Sequence, residues 1–175
     1  MEKLQGKRVI ILVEELYNDL EFWYPYYRLK EAGAEVVVVG PVSGKTFAGK
    51  AGIKARSDFA ADKVVVADFD GLVIPGGYAP DLMRRHRSMV KLVADFVKEG
   101  KVVAAICHAG WMLASAEVLK GRTVTSFFAI RDDVVHAGAT YVDQEVAVDG
   151  NIITSRSPDD LPAFLKAIIG TISDR

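Results

Sequence analysis

The chain has a single cysteine, and it stands in VVAAICHAG, residues 102–110: an apolar run, then Cys107, His108 and two small residues. A thiolate is a potent nucleophile and an imidazole is a side-chain base near neutral pH, so the pair points to nucleophilic chemistry. Ala109 and Gly110 let the chain turn closely behind the sulfur. A strand that delivers a nucleophile into a tight turn and then a helix is the layout of a nucleophile elbow. The free N–H groups and positive end of that helix are expected to favour thiolate and lower the thiol pKa. The opposing reading is that Cys107 fills space, since free cysteines are among the most buried residues. His108 is either a general base or a polar residue at a helix start.

Other candidates carry less. His86 lies in the basic run RRHR, residues 84–87, which reads as a solvated face, and His136 falls on a helix with no partner in sequence. Three scattered histidines and one cysteine give no metal site. GPVSGKT, Gly40–Thr46, follows a strand and approaches a phosphate-binding loop. It has three residues where that motif needs four before Gly-Lys, and FAGKAGIKARS after it is not helical, which speaks against nucleotide binding.

The elements that must position Cys107 follow from periodicity. Val/Ile-rich runs at Arg8–Val13, Glu35–Gly40, Gly71–Ile74 and Lys101–Ile106 read as strands, the last buried on both faces. Helical spacing covers Asp19–Ala32, Ser88–Glu99, His108–Ala116 and Ile130–Ala137, with Asn18 or Asp19 as a cap for the first and Gly33 as its end. Gly44–Ser57 reads as a hairpin or extended excursion, Arg122–Ser126 as a strand, and Glu145–Val148 and Asn151–Ser155 as two more. Ser157-Pro158-Asp159-Asp160 predicts a capped start for a final helix carrying Leu161, Phe164, Leu165, Ile168, Ile169 and Ile172. Alternating strand and helix predicts an α/β layer fold with a mainly parallel sheet, whose ligands bind outside the carboxyl ends of the strands. Three strand-end loops there carry unusual chemistry: Glu14–Glu21, Pro75–Asp81 and Cys107–Gly110.

Composition sets bounds. The 175 residues are 50% hydrophobic and 26% charged, which predicts one globular domain over 1–175 without repeats or linkers. A net charge of −1 gives no electrostatic reason to expect a nucleic acid or a membrane as partner. VIILV near the N-terminus is too short for a signal-peptide core or a bilayer span, and one cysteine forms no internal disulfide, so a cytoplasmic location is expected.

AAICHAG, VIPGGYAPD, the helix DLEFWYPYYRLKEAG and the tail GATYVDQEVAVDGNIITSRSPDDLPAF together resemble the PfpI family. That is a branch of the DJ-1 superfamily, in the class I glutamine-amidotransferase-like group of folds. The resemblance spans essentially the whole chain in the expected order. It implies a flavodoxin-like three-layer sandwich with Cys107 as nucleophile and His108 beside it in the catalytic group. It places the family's invariant acid at Glu21, four residues before Pro25, and oxyanion-hole N–H groups at Gly76 and Gly77. It also implies a third acid reaching the histidine from a neighbouring subunit, here Asp81 where better-known members carry Glu. Asn18 stands where a second acid is common, Ala109-Gly110 replaces Gly-Pro, and Phe127 replaces a Tyr or His near the pocket.

Glu21 has two readings of its own: an acid in a first helical turn, or a buried, protonated carboxyl that donates a hydrogen bond to thiolate. The family resemblance implies a cofactor-free enzyme of glyoxalase or deglycase type that works by its cysteine on reactive aldehydes, converting methylglyoxal to lactate, in stress protection. An intracellular cysteine peptidase with a peptide substrate, or a non-enzymatic redox sensor or holdase chaperone, are the alternatives. The resemblance also implies a homodimer, or a hexamer built from dimers.

Overall fold

Buried Val and Ile runs become a sheet because β-branched residues pack well on a pleated surface closed on both faces by helices. The computed structural model describes residues 3–175. The elements in chain order are β1 (Arg8–Leu12), α1 (Asp19–Glu31), β2 (Glu35–Gly40), β3 (Thr46–Ala48), β4 (Lys54–Arg56), β5 (Phe59–Ala60), β6 (Gly71–Ile74), α2 (Ala79–Met83) and α3 (Arg87–Lys98). They continue with β7 (Val102–Ile106), α4 (Gly110–Ser115), β8 (Thr123–Val124), α5 (Arg131–His136), β9 (Thr140–Tyr141), β10 (Val146–Asp149), β11 (Ile152–Ser155) and α6 (Leu161–Ser173).

Seven strands form the main sheet in the order β10-β11-β7-β6-β1-β2-β5. Every pairing in it is parallel except β10 with β11. Helices α1 and α6 cover one face, and α3 with α4 covers the other. This is the three-layer, flavodoxin-like architecture that the alternation of elements predicts. The four residues of β6 and the five of β7 are all buried, as expected of central strands in such a layer.

Helix α1 is set by its cap. Asn18 Oδ1 accepts from the N–H groups of Leu20 (3.1 Å) and Glu21 (3.2 Å), two of the donors a helix start leaves unpaired. Phe22, Pro25 and Leu29 are buried, while Leu20 and Tyr27 face outward. Asn18→Ala is expected to cost about 1 kcal/mol of stability, read from denaturant midpoints. An unchanged midpoint would show that the cap carries no weight. Asp19 does not cap: its carboxylate accepts from Ala51 N–H (2.7 Å) and Ile53 N–H (3.1 Å), and Tyr17 Oη donates to the Ile53 carbonyl (2.6 Å). These bonds pin the β3–β4 hairpin against the start of α1.

Several expectations are corrected. Ser157 makes no side-chain cap; Pro158–Asp160 forms a 3-10 turn, and the Asp160 carboxylate is taken by Arg156 at 2.9 and 3.1 Å. The expected strand over 122–126 shrinks to β8, because it leaves the main sheet and pairs only with β9. Thr125 N–H turns instead to the Thr154 hydroxyl at 2.9 Å. The helix expected from His108 begins as a 3-10 turn over Cys107–Ala109 and becomes α-helical only at Gly110. The hairpin expected over Gly44–Ser57 is present: the Gly40–Thr46 stretch leads into β3 and β4, not into a helix. No helix among the described residues is long and apolar enough to cross a membrane.

Candidate active site

The sheet order places β7, β6 and β1 side by side, so the three chemistry-bearing loops leave adjacent strand ends. Backbone bonds stitch two of them together. Asn18 N–H donates to the Gly76 carbonyl (3.1 Å), Tyr78 N–H donates to the Leu16 carbonyl (3.0 Å), and Tyr17 and Gly77 form an isolated bridge. Gly77 allows this at φ +80°: an added Cβ would lie 2.5 Å from Asn18 N and 2.6 Å from the Leu16 oxygen.

Cys107 sits at φ +61° as the first residue of the 3-10 turn that follows β7. That left-handed backbone costs an L residue about 1–2 kcal/mol, the kind of strain that persists where surroundings hold a functional group in place. The residue is 7% exposed. Its sulfur faces the backbone N–H groups of Gly77 and His108, both of which favour the thiolate. Sγ lies 3.2 Å from His108 Nδ1.

Glu21 is fully buried. Its Oε2 accepts from Gly76 N–H at 2.7 Å, while Oε1 has no hydrogen-bond partner. The Gly76 N–H therefore holds the carboxyl, and it is the Gly77 N–H that faces the sulfur. Burial lifts the Glu21 pKa to about 7, against the pull of Gly76 N–H, the Cys107 thiol and the Lys50 charge. Burial also pushes the thiol up, to about 12, and the Glu21 charge adds to it, outweighing the two N–H groups. The expected lowering by a helix dipole is thus corrected. Helix α4 starts three residues after Cys107 and is only six residues long, too little to offset desolvation. With one group near 7 and the other near 12, the buried pair loses its first proton near pH 7 and holds one proton and one negative charge from there to well above the neutral range.

Burial, followed by the Lys50 charge, lowers the His108 pKa, so its ring is neutral near pH 7. Phe127 stacks on that ring (4.9 Å, 28°) and Trp111 meets it edge-on (5.1 Å, 64°). Phe127 thus supplies no proton but fixes the imidazole plane. Trp111 is itself held by an indole N–H donated to Asp133 at 2.8 Å.

Asp81 does not approach His108 within the chain. Its carboxylate binds Arg85 (2.5 Å) and Arg84 (3.1 Å) on its own helical turn, and these guanidiniums hold its pKa below the ordinary range. The RRHR run is not simply solvated: beyond the two arginines on Asp81, His86 Nε2 lies 3.1 Å from buried Glu14. His136 ends α5. Among the described residues no group of three or more His, Cys, Asp or Glu is placed to hold a metal ion.

Lys50, Trp111 and the stacking role of Phe127 were not legible in the sequence. Lys50 lies in a Gly/Lys-rich hairpin whose ordinary reading is a solvated turn, and nothing local ties it to Cys107.

The family model described as the DJ-1/PfpI family matches residues 7–171. The chain is 42% identical to "Deglycase PfpI" of Pyrococcus furiosus, covering 93% of this chain and 97% of that protein. It is 43% identical to "Protein/nucleic acid deglycase 2" of Escherichia coli, covering 91% and 94%. Among solved structures, a two-domain protein of Anabaena variabilis with DJ-1/ThiJ/PfpI-like and ferritin-like domains superposes with a TM-score of 0.93 at 42% identity. That match covers 95% of this chain and 48% of the other, so the chain spans about half of that two-domain protein.

Proposed function

The chain belongs to the DJ-1/PfpI family, and from that premise we propose that it is a cofactor-free enzyme whose Cys107 attacks small reactive aldehydes, converting methylglyoxal to lactate. The observation that carries this reading is the strained, nearly buried Cys107 sharing one proton with fully buried Glu21. A sulfur on a residue only 7% exposed is reached by a small carbonyl compound more readily than by a peptide chain, which favours aldehydes over a peptidase. The name deglycase on two relatives fits chemistry at carbons derived from such dicarbonyls.

The steps balance without a redox cofactor. The Glu21 carboxylate takes the thiol proton as sulfur bonds to the aldehyde carbon, and that proton passes to the aldehyde oxygen, giving a hemithioacetal. The Gly77 N–H, aimed at the sulfur, lies where it can stabilise charge in this step. Glu21 or neutral His108 then removes the hydrogen from the sulfur-bearing carbon. The electron pair forms an enediol, and a proton returns to the neighbouring carbon, leaving a lactoyl thioester. Water cleaves the thioester to lactate and restores the thiol. A homo-oligomer, in which Asp81 of one subunit meets the imidazole of another, belongs to this proposal.

The test is lactate formation from methylglyoxal without glutathione or metal, using native protein and protein alkylated at its one thiol. Lactate from native protein alone supports the reading. Lactate from both, or from neither while the thiol is shown to react, overturns it and directs attention to peptide substrates and thiol oxidation.

A further inference from the structure

The imidazole that faces the sulfur is held mainly by aromatic rings. Sγ of Cys107, 3.2 Å from Nδ1, is the one hydrogen-bonding partner of the His108 ring among the described residues. The ring is half-buried, and rotation about its Cβ–Cγ bond carries Nδ1 away from the sulfur. Phe127 stacks on the ring (4.9 Å, 28°), but a stack alone is kept when the imidazole flips by half a turn. Trp111 closes off the space that such a turn sweeps, its centroid 5.1 Å away at 64°. It comes three residues after His108, the spacing that puts side chains on one helical face.

Trp111 is itself gripped from three sides. Helix α4 carries it, its Nε1–H donates to Asp133 Oδ2 on α5 at 2.8 Å, and the guanidinium of Arg84, just after α2, lies 4.8 Å over its ring. Arg84 is fixed in turn by Asp81 at 3.1 Å. Arg84 and Asp133 are exposed, where ionic contacts and hydrogen bonds yield little net stability. What the two contacts fix is direction: Asp133 sets the edge of the indole and Arg84 its face. A continuous chain of contacts then runs inward from the surface, from Asp133 and Arg84 to Trp111, to His108 and to Cys107.

We propose that Trp111 is a positioning residue of the Cys107 site: clamped by Asp133 and Arg84, it holds the His108 imidazole in the one orientation that turns Nδ1 to the sulfur. It acts on the chemistry through His108, the group that the aldehyde reading offers, beside Glu21, for moving the hydrogen of the sulfur-bearing carbon. The inference rests on Cys107 as the nucleophile, and the orientation of the ring can be read without turnover.

The readout is the nitrogen NMR signature of the histidine rings at pH 8, where burial keeps His108 neutral. The chain has three histidines, so His108→Gln assigns the His108 signals by their loss. A ring held with Nδ1 on the sulfur keeps one tautomer, and its two nitrogen shifts stand far apart. A ring free to turn mixes tautomers, and the shifts draw together. The wild type is expected to show the first pattern, and Trp111→Leu and Asp133→Ala the second. Asp133→Asn is expected to keep the wild-type pattern, because its amide oxygen still accepts the indole N–H. Asp133 is exposed, so its variants carry the test even where Trp111→Leu does not fold. In Asp133→Ala the kcat for lactate formation from methylglyoxal is expected to fall about 3–10-fold with KM kept, and to recover in Asp133→Asn. His108 signals that Trp111→Leu and Asp133→Ala leave as in the wild type overturn the proposal and make Trp111 a packing residue. Averaged tautomers in the wild type itself overturn it as well. If the wild type makes no lactate, the aldehyde reading falls, while the His108 signals still decide whether Trp111 positions the ring.

Discussion

Glu21→Gln is expected to slow the reaction of Cys107 with a neutral alkylating agent by about 50-fold at pH 7. In the wild type the first proton leaves the buried pair near 7, so about half of the molecules hold one negative charge at that pH. The charge sits on the Glu21 carboxylate, which takes the thiol proton as the sulfur attacks, and thiol reactivity therefore rises through about pH 7. Glutamine removes the second site. The thiol then titrates alone, freed of the Glu21 charge but still desolvated, near or above its ordinary 9.0. At pH 7 about one variant molecule in a hundred is thiolate and none has the carboxylate base, whereas about half of the wild-type molecules carry that base beside the thiol. The pH profile is the sharper readout. The inflection near 7 disappears in Glu21→Gln and a single one appears at 9 or above. An inflection that stays near 7 would show that the thiol titrates on its own, and the shared-proton account would fall.

The same substitution carries a stability prediction of opposite sign. The Glu21 pKa is higher in the folded chain, about 7, than the ordinary 4.5. The folded state therefore binds its proton more tightly than the unfolded state, and stability falls as pH rises from about 4.5 through about 7. The difference corresponds to about 3 kcal/mol, an order-of-magnitude figure for a fully buried group. Glu21→Gln, which has nothing to ionise, is expected to be the more stable protein at pH 8 while being the less reactive one. Loss of both stability and reactivity at pH 8 would mean that Glu21 is a packing residue.

Much of this site was legible, for identifiable reasons. Cys107 and its turn announce themselves because an apolar strand followed by Cys-His and small residues has few other uses, and the φ of +61° is the backbone expression of that pattern. Glu21 was found through resemblance; its local pattern allowed the bland reading of an acid in a first helical turn. The strands of the main sheet were legible because central parallel strands are continuous apolar runs. What was not legible depends on partners distant in sequence. Arg122–Ser126 has the residue types of a strand, but pairing with Tyr141 and a bond to Thr154 decide its fate. Ser157 and Pro158 look like a helix start, but Arg156 competes for Asp160. The thiol pKa was misjudged because a helix dipole can be read from sequence and desolvation cannot. The Lys50 charge acts on Glu21 and His108 from a hairpin held by Asp19 and Tyr17, a placement no local pattern encodes.

The two glycines after Pro75 separate chemistry from stability, and alanine at each is expected to fail differently. At Gly77 the added Cβ meets backbone atoms of the β1–α1 loop, Asn18 N at 2.5 Å and the Leu16 oxygen at 2.6 Å, and alanine must also hold φ +80°. Backbone on both sides has no rotamer to escape into, so left-handed strain and overpacking add to about 4 kcal/mol. That is a large share of a typical folding free energy of about 5–15 kcal/mol, and Gly77→Ala is expected to be partly unfolded near 37 °C. At Gly76 φ is not in the left-handed region, and the Cβ meets Glu21 Oε2 at 2.5 Å and Cys107 Cβ at 2.8 Å. The Glu21 carboxyl yields first, being the end of a side chain, and loses the N–H bond that now holds it at 2.7 Å. A lost charged hydrogen bond of about 1.5–3 kcal/mol moves the Glu21 pKa up by about one to two units, so the reactivity inflection climbs from about 7 toward 8–9. Gly76→Ala is therefore expected to melt less than Gly77→Ala but to react about 5–50-fold more slowly at pH 7, recovering as pH rises. If Gly76→Ala keeps its inflection at 7, the Gly76 N–H does not set the proton balance. The shared charge then rests on burial and Lys50 alone.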